Sequence, residues 1–499
     1  MMFASGTISG RRAPARLWNS VVTPIRSDVL GIAPPRLYGR LRRSSASGRV
    51  VAFMSQTPSP QRHLAMRRRE RLPRVLYSRP MRRVFAGWWI AAAASMASFA
   101  AVTFFNPVLG AITPELQAEY GWSTASIALT MVIGGIGGGV IATFVGPIAD
   151  RHGARWLLFG SVGLVAGLLV ALGFISELWQ FLLFWGVGRG ITVAVIDIAV
   201  IVVIANWFIQ RRGSAMGMTM IGTRGGMMIF PLVISAGLWL GGLREAFLLM
   251  AMLVLLVGWL PSLILRRRPE DVGLRPDGRR SSTRVSAAES ASLLTSDPDW
   301  TVREAMRTRA FWLLLFGTTI LMAVSGSVNF TFVSHMTQNG IDADTARSAL
   351  ALWAGMGIIG GVLGGELRQR LAVRYSLPLV ILVTTSALVW FVLTDSVWMA
   401  FVFAVWHGLA FGAQLPLNRI SFPDYFGRYS VGRIRSVTAP PQLLINAFGP
   451  FVSGLVIDSR GSYDLIYVVF IGLLLSAAVS VLLARPPEAP ARRSPPASS

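Results

Sequence analysis

Twelve apolar runs constrain the fold of this chain more than any other feature. Each run has roughly the length that an α-helix needs to cross about 30 Å of hydrocarbon. Charged residues make up only 14% of the chain and lie mostly in short gaps between the runs. We therefore expect an all-α polytopic membrane protein with two groups of six spans. The predicted spans are residues 87–110, 126–149, 156–176, 179–206, 214–240, 244–265, 310–335, 344–367, 376–395, 398–422, 434–457 and 463–484.

Arginines in alternate gaps predict the orientation of the spans. The chain has no lysine, so arginine alone reports the positive charge. One set of gaps is rich in arginine, whereas the other set holds only Arg244, Arg347 and Arg460. Because arginine-rich loops stay in the cytoplasm, we expect both termini there, in a plasma (inner) membrane. The arginines of the rich set include Arg151, Arg155, Arg211, Arg212, Arg368, Arg370, Arg374, Arg428, Arg433 and Arg435, together with the cluster that opens the linker.

The chain divides by composition into five segments. They are a basic tail (1–84), a first half (85–265), a polar linker (266–308), a second half (309–485) and a C-terminal tail (486–499). The stretch 1–83 holds 18 arginines against Asp28 and Glu70, without helical periodicity. It is compatible with a disordered tail drawn to anionic lipid, with a misassigned start, or with a transit peptide. Without a binding module, its charge does not indicate nucleic-acid binding.

The two halves repeat each other at an offset of 218 or 219 residues. Gly121 corresponds to Gly340, Pro231 to Pro450 and Gly242 to Gly461, with further matches in equivalent gaps. Several landmarks at nearly one offset indicate two related six-helix units. Parallel repeats with a site between them at mid-depth are typical of secondary transporters.

The stretch "GPIADRHGAR" at 146–155 resembles the loop signature of the major facilitator superfamily at every fixed position. Its counterpart "GELRQRLAVR" at 365–374 keeps the first glycine and both arginines. The resemblance covers about residues 85–485 and implies the fold of that superfamily. Segments such as "NWFIQRRGSAMG" and "DYFGRYSVG" are similar to its monocarboxylate and oxalate–formate porter branch.

The resemblance assigns this loop a gating role. It implies that the loop caps neighbouring helices, with Asp150 accepting from helix N-termini. Arg151 and Arg155 would then pair with acids across the interface between the halves. Simple charge anchoring accounts for the arginines but not for the aspartate and glycines. The predicted gating residues are Gly146, Asp150, Arg151, Gly153, Arg155, Arg370 and Arg374.

Ionisable residues inside the spans are the candidate site, because a charge in hydrocarbon is costly unless it is paired or hydrated. Asp197 and Arg224 lie equally far from the turn at Gln210-Arg211, which predicts an ion pair, either structural or part of a proton cycle. The offset aligns Arg189 with His407. A guanidinium reads carboxylates and a histidine carries protons, so the four residues suggest a proton-coupled anion site.

Uncharged polar residues in the spans are secondary candidates for the cavity. Helix–helix hydrogen bonds are the alternative for each amide, and bonds to backbone are the alternative for Arg189 and His407. The animal monocarboxylate porters carry a lysine in the first span and an Asp/Arg pair in the eighth. Here the first span has Asn106 and the eighth reads "LALWAGMGIIGGVLGG", so their substrates do not transfer. The amides are Asn106, Asn329, Gln414, Asn418 and Asn446.

The leading hypothesis is a monomeric secondary transporter for a small organic anion, a monocarboxylate, coupled to protons. Proton-driven drug efflux is an alternative, although "GMTMIGTRGG" lacks the proline of such exporters and holds Arg224. A non-transporting membrane sensor or scaffold is another. We expect no enzyme activity, cofactor or metal, because no nucleotide-binding loop or metal-ligand spacing occurs.

The absence of cysteine allows a direct test of the orientation. Single cysteines at Ser176 and Ser396 should react with a membrane-impermeant maleimide in intact cells, because they lie in arginine-poor gaps. Cysteines at Ser214 and Ser436 should react only after the cells are permeabilised. The reverse pattern would overturn the predicted orientation.

Overall fold

The computed structural model describes residues 85–152, 154–209, 211–266, 269, 274, 300–427 and 431–487. The side chains of residues 143, 146–152, 154, 431 and 432 are not described. The basic tail and most of the linker therefore lie outside the described residues. The five predicted segment boundaries stay predictions.

All twelve predicted spans are confirmed as helices long and apolar enough to cross a membrane. The described part of the chain is helical throughout and contains no strand. A short helix, Val302–Met306, precedes the second half. The twelve helices are α1 (Gly87–Tyr120), α2 (Thr124–His152), α3 (Ala154–Leu172), α4 (Leu178–Trp207), α5 (Arg212–Leu240), α6 (Leu243–Ser262), α7 (Arg309–Gln338), α8 (Ala343–Arg370), α9 (Val373–Val392), α10 (Val397–Phe426), α11 (Val431–Arg460) and α12 (Asp464–Leu483).

Three of these helices contain irregular turns. α1 is composed of an α-helix Gly87–Ala101, a 3₁₀ turn Val102–Phe104 and a second α-helix Asn106–Tyr120. α4 contains a π-helical turn at Thr192–Ile196, and α6 contains another at Val254–Trp259. The second segment of α1 extends it ten residues beyond the predicted end at 110, because Pro107 in its first turn starts a new helix.

The packing of the helices follows the sequence repeat. Across the two halves, α2 packs on α11, α5 on α8, and the second segment of α1 on α7. In the repeat, α2 corresponds to α8 and α5 to α11, so the first two pairs are equivalent to each other. The third pair is equivalent to itself, because α1 corresponds to α7. The turns also match, since Gly121 and Gly340 both adopt the left-handed conformation, with φ of 67° and 82°. Glycine is the residue that enters this region without a steric cost.

A salt bridge and a helix N-terminal contact between the halves lie at the arginine-poor end, which we define as the end with the turns 121–123, 241–242, 339–342 and 461–463. Buried Arg347 of α8 forms a salt bridge with Glu115 of α1 and donates from Nε to the carbonyl of Ala111 at 3.0 Å. Asp458 of α11 accepts from the first backbone amides of α2, Thr124 at 3.0 Å and Ala125 at 2.8 Å. Charged groups and a helix N-terminus therefore hold the halves together here.

At the opposite, arginine-rich end, three described arginines of the second half bind within their own half, whereas Arg419 donates to Met220 of the first half at 3.8 Å. Arg368 pairs with Asp424. Arg370 pairs with Glu366 at 2.9 Å, and Arg374 donates to the carbonyl of Leu482 at 2.8 Å.

Arg155 has no acid partner across the interface among the described residues, and its guanidinium lies over the Trp156 ring at 5.1 Å. The side chains of Gly146, Asp150 and Arg151, and all of Gly153, lie outside the described residues. Among the described residues, the salt bridge that joins the two halves thus lies at the arginine-poor end.

Removing the charge of Arg347 should loosen this end. In an Arg347→Gln protein, a cysteine at buried Ala111 should react about tenfold faster with a maleimide, because a charge-assisted bond worth roughly 1.5–3 kcal/mol is lost. Exposed Arg303→Gln is the control and should leave the rate unchanged. Equal rates in the two variants would show that Arg347 does not hold the halves together.

Candidate functional site

The break in α1 leaves one backbone carbonyl without a helical donor. Phe105 is extended, with ψ of 161°, and Pro107 has no N–H. The amides of Val108 and Leu109 both donate to the carbonyl of Phe105. The carbonyl of Phe104 therefore needs another partner, since an unsatisfied backbone group in a membrane protein costs several kcal/mol.

Arg189 of α4 supplies that partner. Its Nη1 donates to the Phe104 carbonyl at 3.2 Å, and its guanidinium lies 4.9 Å from the centre of the Phe105 ring. The side-chain stem packs against Gly134 of α2, where an added Cβ would come within 2.4 Å of it. The absence of a side chain at Gly134 thus admits an arginine that caps the break in α1.

Asp197 does not form the predicted ion pair with Arg224. The π-helical turn just before Asp197 holds one extra residue, which rotates the following residues by about 100° from the α-helical expectation. Asp197 is exposed and lies within electrostatic range of Arg419 on α10. Because Arg419 belongs to the second half, Asp197 faces the interface between the halves.

Arg224 of α5 is buried and lies against the other half of the molecule. Its guanidinium carbon is 4.7 Å from the centre of the Phe411 ring on α10. An added Cβ on Gly357 of α8 would come within 2.7 Å of Nη1, so glycine makes room for this charge. Neither Nη1 nor Nη2 has a hydrogen-bond partner among the described residues.

His407 is buried between aromatic rings on α8 and α10. Its ring is stacked with Phe403 at 5.0 Å and with Trp353 at 6.1 Å between centres. Neither of its nitrogens is bonded within the described part of the chain, so the alternative of a backbone bond is not observed. The repeat aligns Arg189 with His407 at an offset of 218 and Gly134 with Trp353 at an offset of 219, so the two halves place different side chains at equivalent positions.

The amides divide between helix contacts and open positions. Asn106 donates to the carbonyl of Gly326 at 3.1 Å, Gln414 accepts from Ser325 at 3.0 Å, and Asn446 donates to the carbonyl of Met322 at 2.7 Å. These three amides form hydrogen bonds between helices, which was the alternative to a role in ligand binding. Asn329 has a buried Oδ1 that is unbonded within the described residues, and Asn418 is partly exposed.

Sequence reasoning missed several residues of this region. Arg419 lies inside the predicted tenth span and could have been identified by the rule that singled out Arg224. Phe403, His407 and Phe411 are spaced four residues apart, a visible signal for one helix face. Gly357 and Arg224 belong to different halves, and no pattern in the sequence of either helix indicates that they lie in contact.

The two arginines should respond oppositely to neutralisation. Arg189→Gln should lower the thermal midpoint of the detergent-solubilised protein, because the Phe104 carbonyl loses a bond worth about 1.5–3 kcal/mol. Arg224→Gln should leave the midpoint unchanged or raise it, because it removes a buried charge without a partner. Equal losses in both variants would contradict the different roles assigned to them.

Comparisons with known proteins agree with the architecture. A family model described as Major Facilitator Superfamily matches residues 88–439 and 314–499. Among solved structures, an inward-facing, occupied bacterial homologue of the human lysosomal transporter Spinster is 19% identical, with a TM-score of 0.56 over 82% of this chain and 95% of that one. The nucleoside transporter NupG is 14% identical, with a TM-score of 0.57 over 79% and 99%.

The curated relatives differ in their named roles. The membrane sensor protein UhpC of Salmonella typhimurium is 25% identical over 54% of this chain and 61% of its own length. The Fujikurins efflux protein of Gibberella fujikuroi is 35% identical over 28% and 30%. The multidrug resistance protein MdtG of Dickeya zeae is 26% identical over 73% and 85%.

The chain spans less than two thirds of the length of the first two of these relatives. They do not confirm the monocarboxylate and oxalate–formate branch, which stays an expectation. The family model, by contrast, covers most of the chain, and the twelve helices have the fold of solved transporters of this type. The chain therefore belongs to the Major Facilitator Superfamily and is a multi-pass membrane protein.

Proposed function

We propose that this transporter moves a small organic anion, a monocarboxylate, by alternating access with proton coupling. The observation that carries the proposal is Arg224, a buried guanidinium whose two terminal nitrogens lack a partner among the described residues. The predicted inner-membrane location, cytoplasmic termini and monomeric state belong to the same proposal.

The free nitrogens of Arg224 favour an anion as the ligand. A buried charge without a counter-ion costs several kcal/mol, which an incoming carboxylate would offset. The planar guanidinium can hold both carboxylate oxygens at once. The acid that the sequence predicted as its partner, Asp197, is exposed and lies within electrostatic range of Arg419 instead.

The position of Arg224 connects anion binding to movement of the halves. Its helix belongs to the first half, whereas Phe411 and Gly357 belong to the second. An anion that binds Arg224 therefore binds at the interface that must open during alternating access. At the arginine-poor end, the salt bridge of Arg347 with Glu115 has to break for that opening.

Asp197 and His407 are the proposed proton carriers. Protonation of Asp197 would remove its attraction to Arg419 across the interface, which weakens one contact between the halves. His407 sits among neutral rings, where a proton on its ring would be drawn toward a bound anion. Arg189, which caps the α1 break, would hold that side of the site in place and contribute positive charge.

Drug efflux is the second candidate function. The printed names of two relatives, an efflux protein and a multidrug resistance protein, favour it. Arg224 opposes it for lipophilic cations, because a buried positive charge repels them. A sensor is the third candidate and takes its support from the name of UhpC.

Uptake by reconstituted vesicles tests the proposal. Purified protein in proteoliposomes should accumulate a member of a panel of small carboxylates when the outside is acidified. Arg224→Gln should reduce that uptake by about 10- to 100-fold, the equivalent of a lost charged bond. Arg189→Gln should be measured in parallel.

The matched control is Arg244→Gln, because Arg244 also lies over a phenylalanine ring, Phe174 at 4.5 Å, but is exposed. It should transport normally. If no carboxylate moves while neutral or cationic compounds do, efflux replaces the anion proposal. Specific binding without flux would instead identify a sensor.

A further inference from the structure

A cluster of aromatic rings lies beside Arg224 in the second half. Phe403, His407 and Phe411 follow one another at four-residue spacing on α10 and share one face of the helix. Trp353 of α8 packs against this face, with ring centres 5.0 Å from Phe411 and 6.1 Å from His407. We call these four residues the ring cluster.

The ring cluster contains three buried nitrogens for which the described residues offer no partner. They are Nδ1 and Nε2 of His407 and Nε1 of Trp353. Buried polar atoms are almost always hydrogen-bonded in native proteins, so three in one cluster need an explanation. Ring packing alone would be served as well by phenylalanine, which carries no polar atom.

Arg224 closes one side of the ring cluster and leaves its hydrogen-bonding edge free. The guanidinium carbon lies over the Phe411 ring, 4.7 Å from its centre, so the charge is in contact with the aromatic surface. Its N–H groups point outward in the guanidinium plane, and Nη1 and Nη2 are unbonded to any described residue. Phe411 is the partly exposed member of the cluster, which makes it the point of access for a ligand.

We propose, on the basis of the anion transport proposed above, that the substrate is a planar aromatic carboxylate. A carboxylate conjugated to a ring lies in the plane of that ring. When it binds the edge of the guanidinium, its own ring therefore extends parallel to the guanidinium and along the faces of the ring cluster. A polar substituent on the ligand ring supplies the partner that the nitrogens of Trp353 and His407 lack.

Competition binding with benzoate as the labelled probe tests this proposal on the purified full-length protein. Benzoate should bind about 2- to 10-fold more tightly than cyclohexanecarboxylate, which has similar size and charge but no aromatic face. Acetate should bind more weakly than both, because it reaches only Arg224. 4-Hydroxybenzoate should bind more tightly than benzoate, because its hydroxyl meets the nitrogens of the cluster.

Two variants locate the recognition in the ring cluster. Phe411→Leu keeps an apolar side chain and should remove the preference for benzoate over cyclohexanecarboxylate. Trp353→Phe keeps the ring and should remove only the advantage of 4-hydroxybenzoate. Phe401→Leu is the matched control, since Phe401 is also a partly exposed phenylalanine on α10, and it should retain both preferences. Size-exclusion profiles establish that each variant is folded, and Trp353→Phe carries the test if Phe411→Leu is not.

The outcomes separate this proposal from the one it rests on. Equal affinity for benzoate and cyclohexanecarboxylate would overturn recognition of the aromatic ring and leave anion transport standing. Binding of acetate alone would do the same. Failure of every carboxylate to bind would overturn both proposals.

Discussion

The requirement that polar groups find partners in a layer without water governs this structure. It selects helices, because a helix bonds its own backbone. It also explains how α1 tolerates a break at Phe105. The carbonyl of Phe104, which lacks a donor within the helix, accepts a hydrogen bond from Arg189. A side chain of α4 thus completes the backbone hydrogen bonding of α1.

Arg189 and Arg224 show that the same side chain has opposite consequences in two environments. Both are arginines deep in the bundle, each over a phenylalanine ring. Arg189 donates to backbone and so contributes to the fold. Arg224 lies over the ring, and its two terminal nitrogens have no partner among the described residues, which supports the ligand-binding role proposed above. The two arginines carry the same charge, and the difference between their assigned roles rests on the hydrogen bond that Arg189 makes to the backbone.

The sequence predicted the architecture well because the membrane sets the length of each span and duplication repeats the pattern. It also identified which charges lie inside the spans, since that depends on position alone. The sequence did not predict which residues these charges contact, because those contacts depend on how each helix is rotated about its own axis. The π-helical turn before Asp197 changes that rotation. Contacts between the halves, such as the salt bridge of Arg347 with Glu115, join residues that are far apart in the sequence, and no sequence pattern indicates that they meet.

The asymmetry between the halves agrees with the kind of ligand proposed above. Duplication placed Arg189 and His407, and likewise Gly134 and Trp353, at equivalent positions. A ligand with one charged end and one apolar end cannot be matched by two identical halves. The first half supplies the cation of Arg224, and the second supplies the rings of Phe411 and Trp353. Because the proposed ligand would contact both, it would be held only when the halves approach each other, and recognition would then be linked to the proposed movement of the halves.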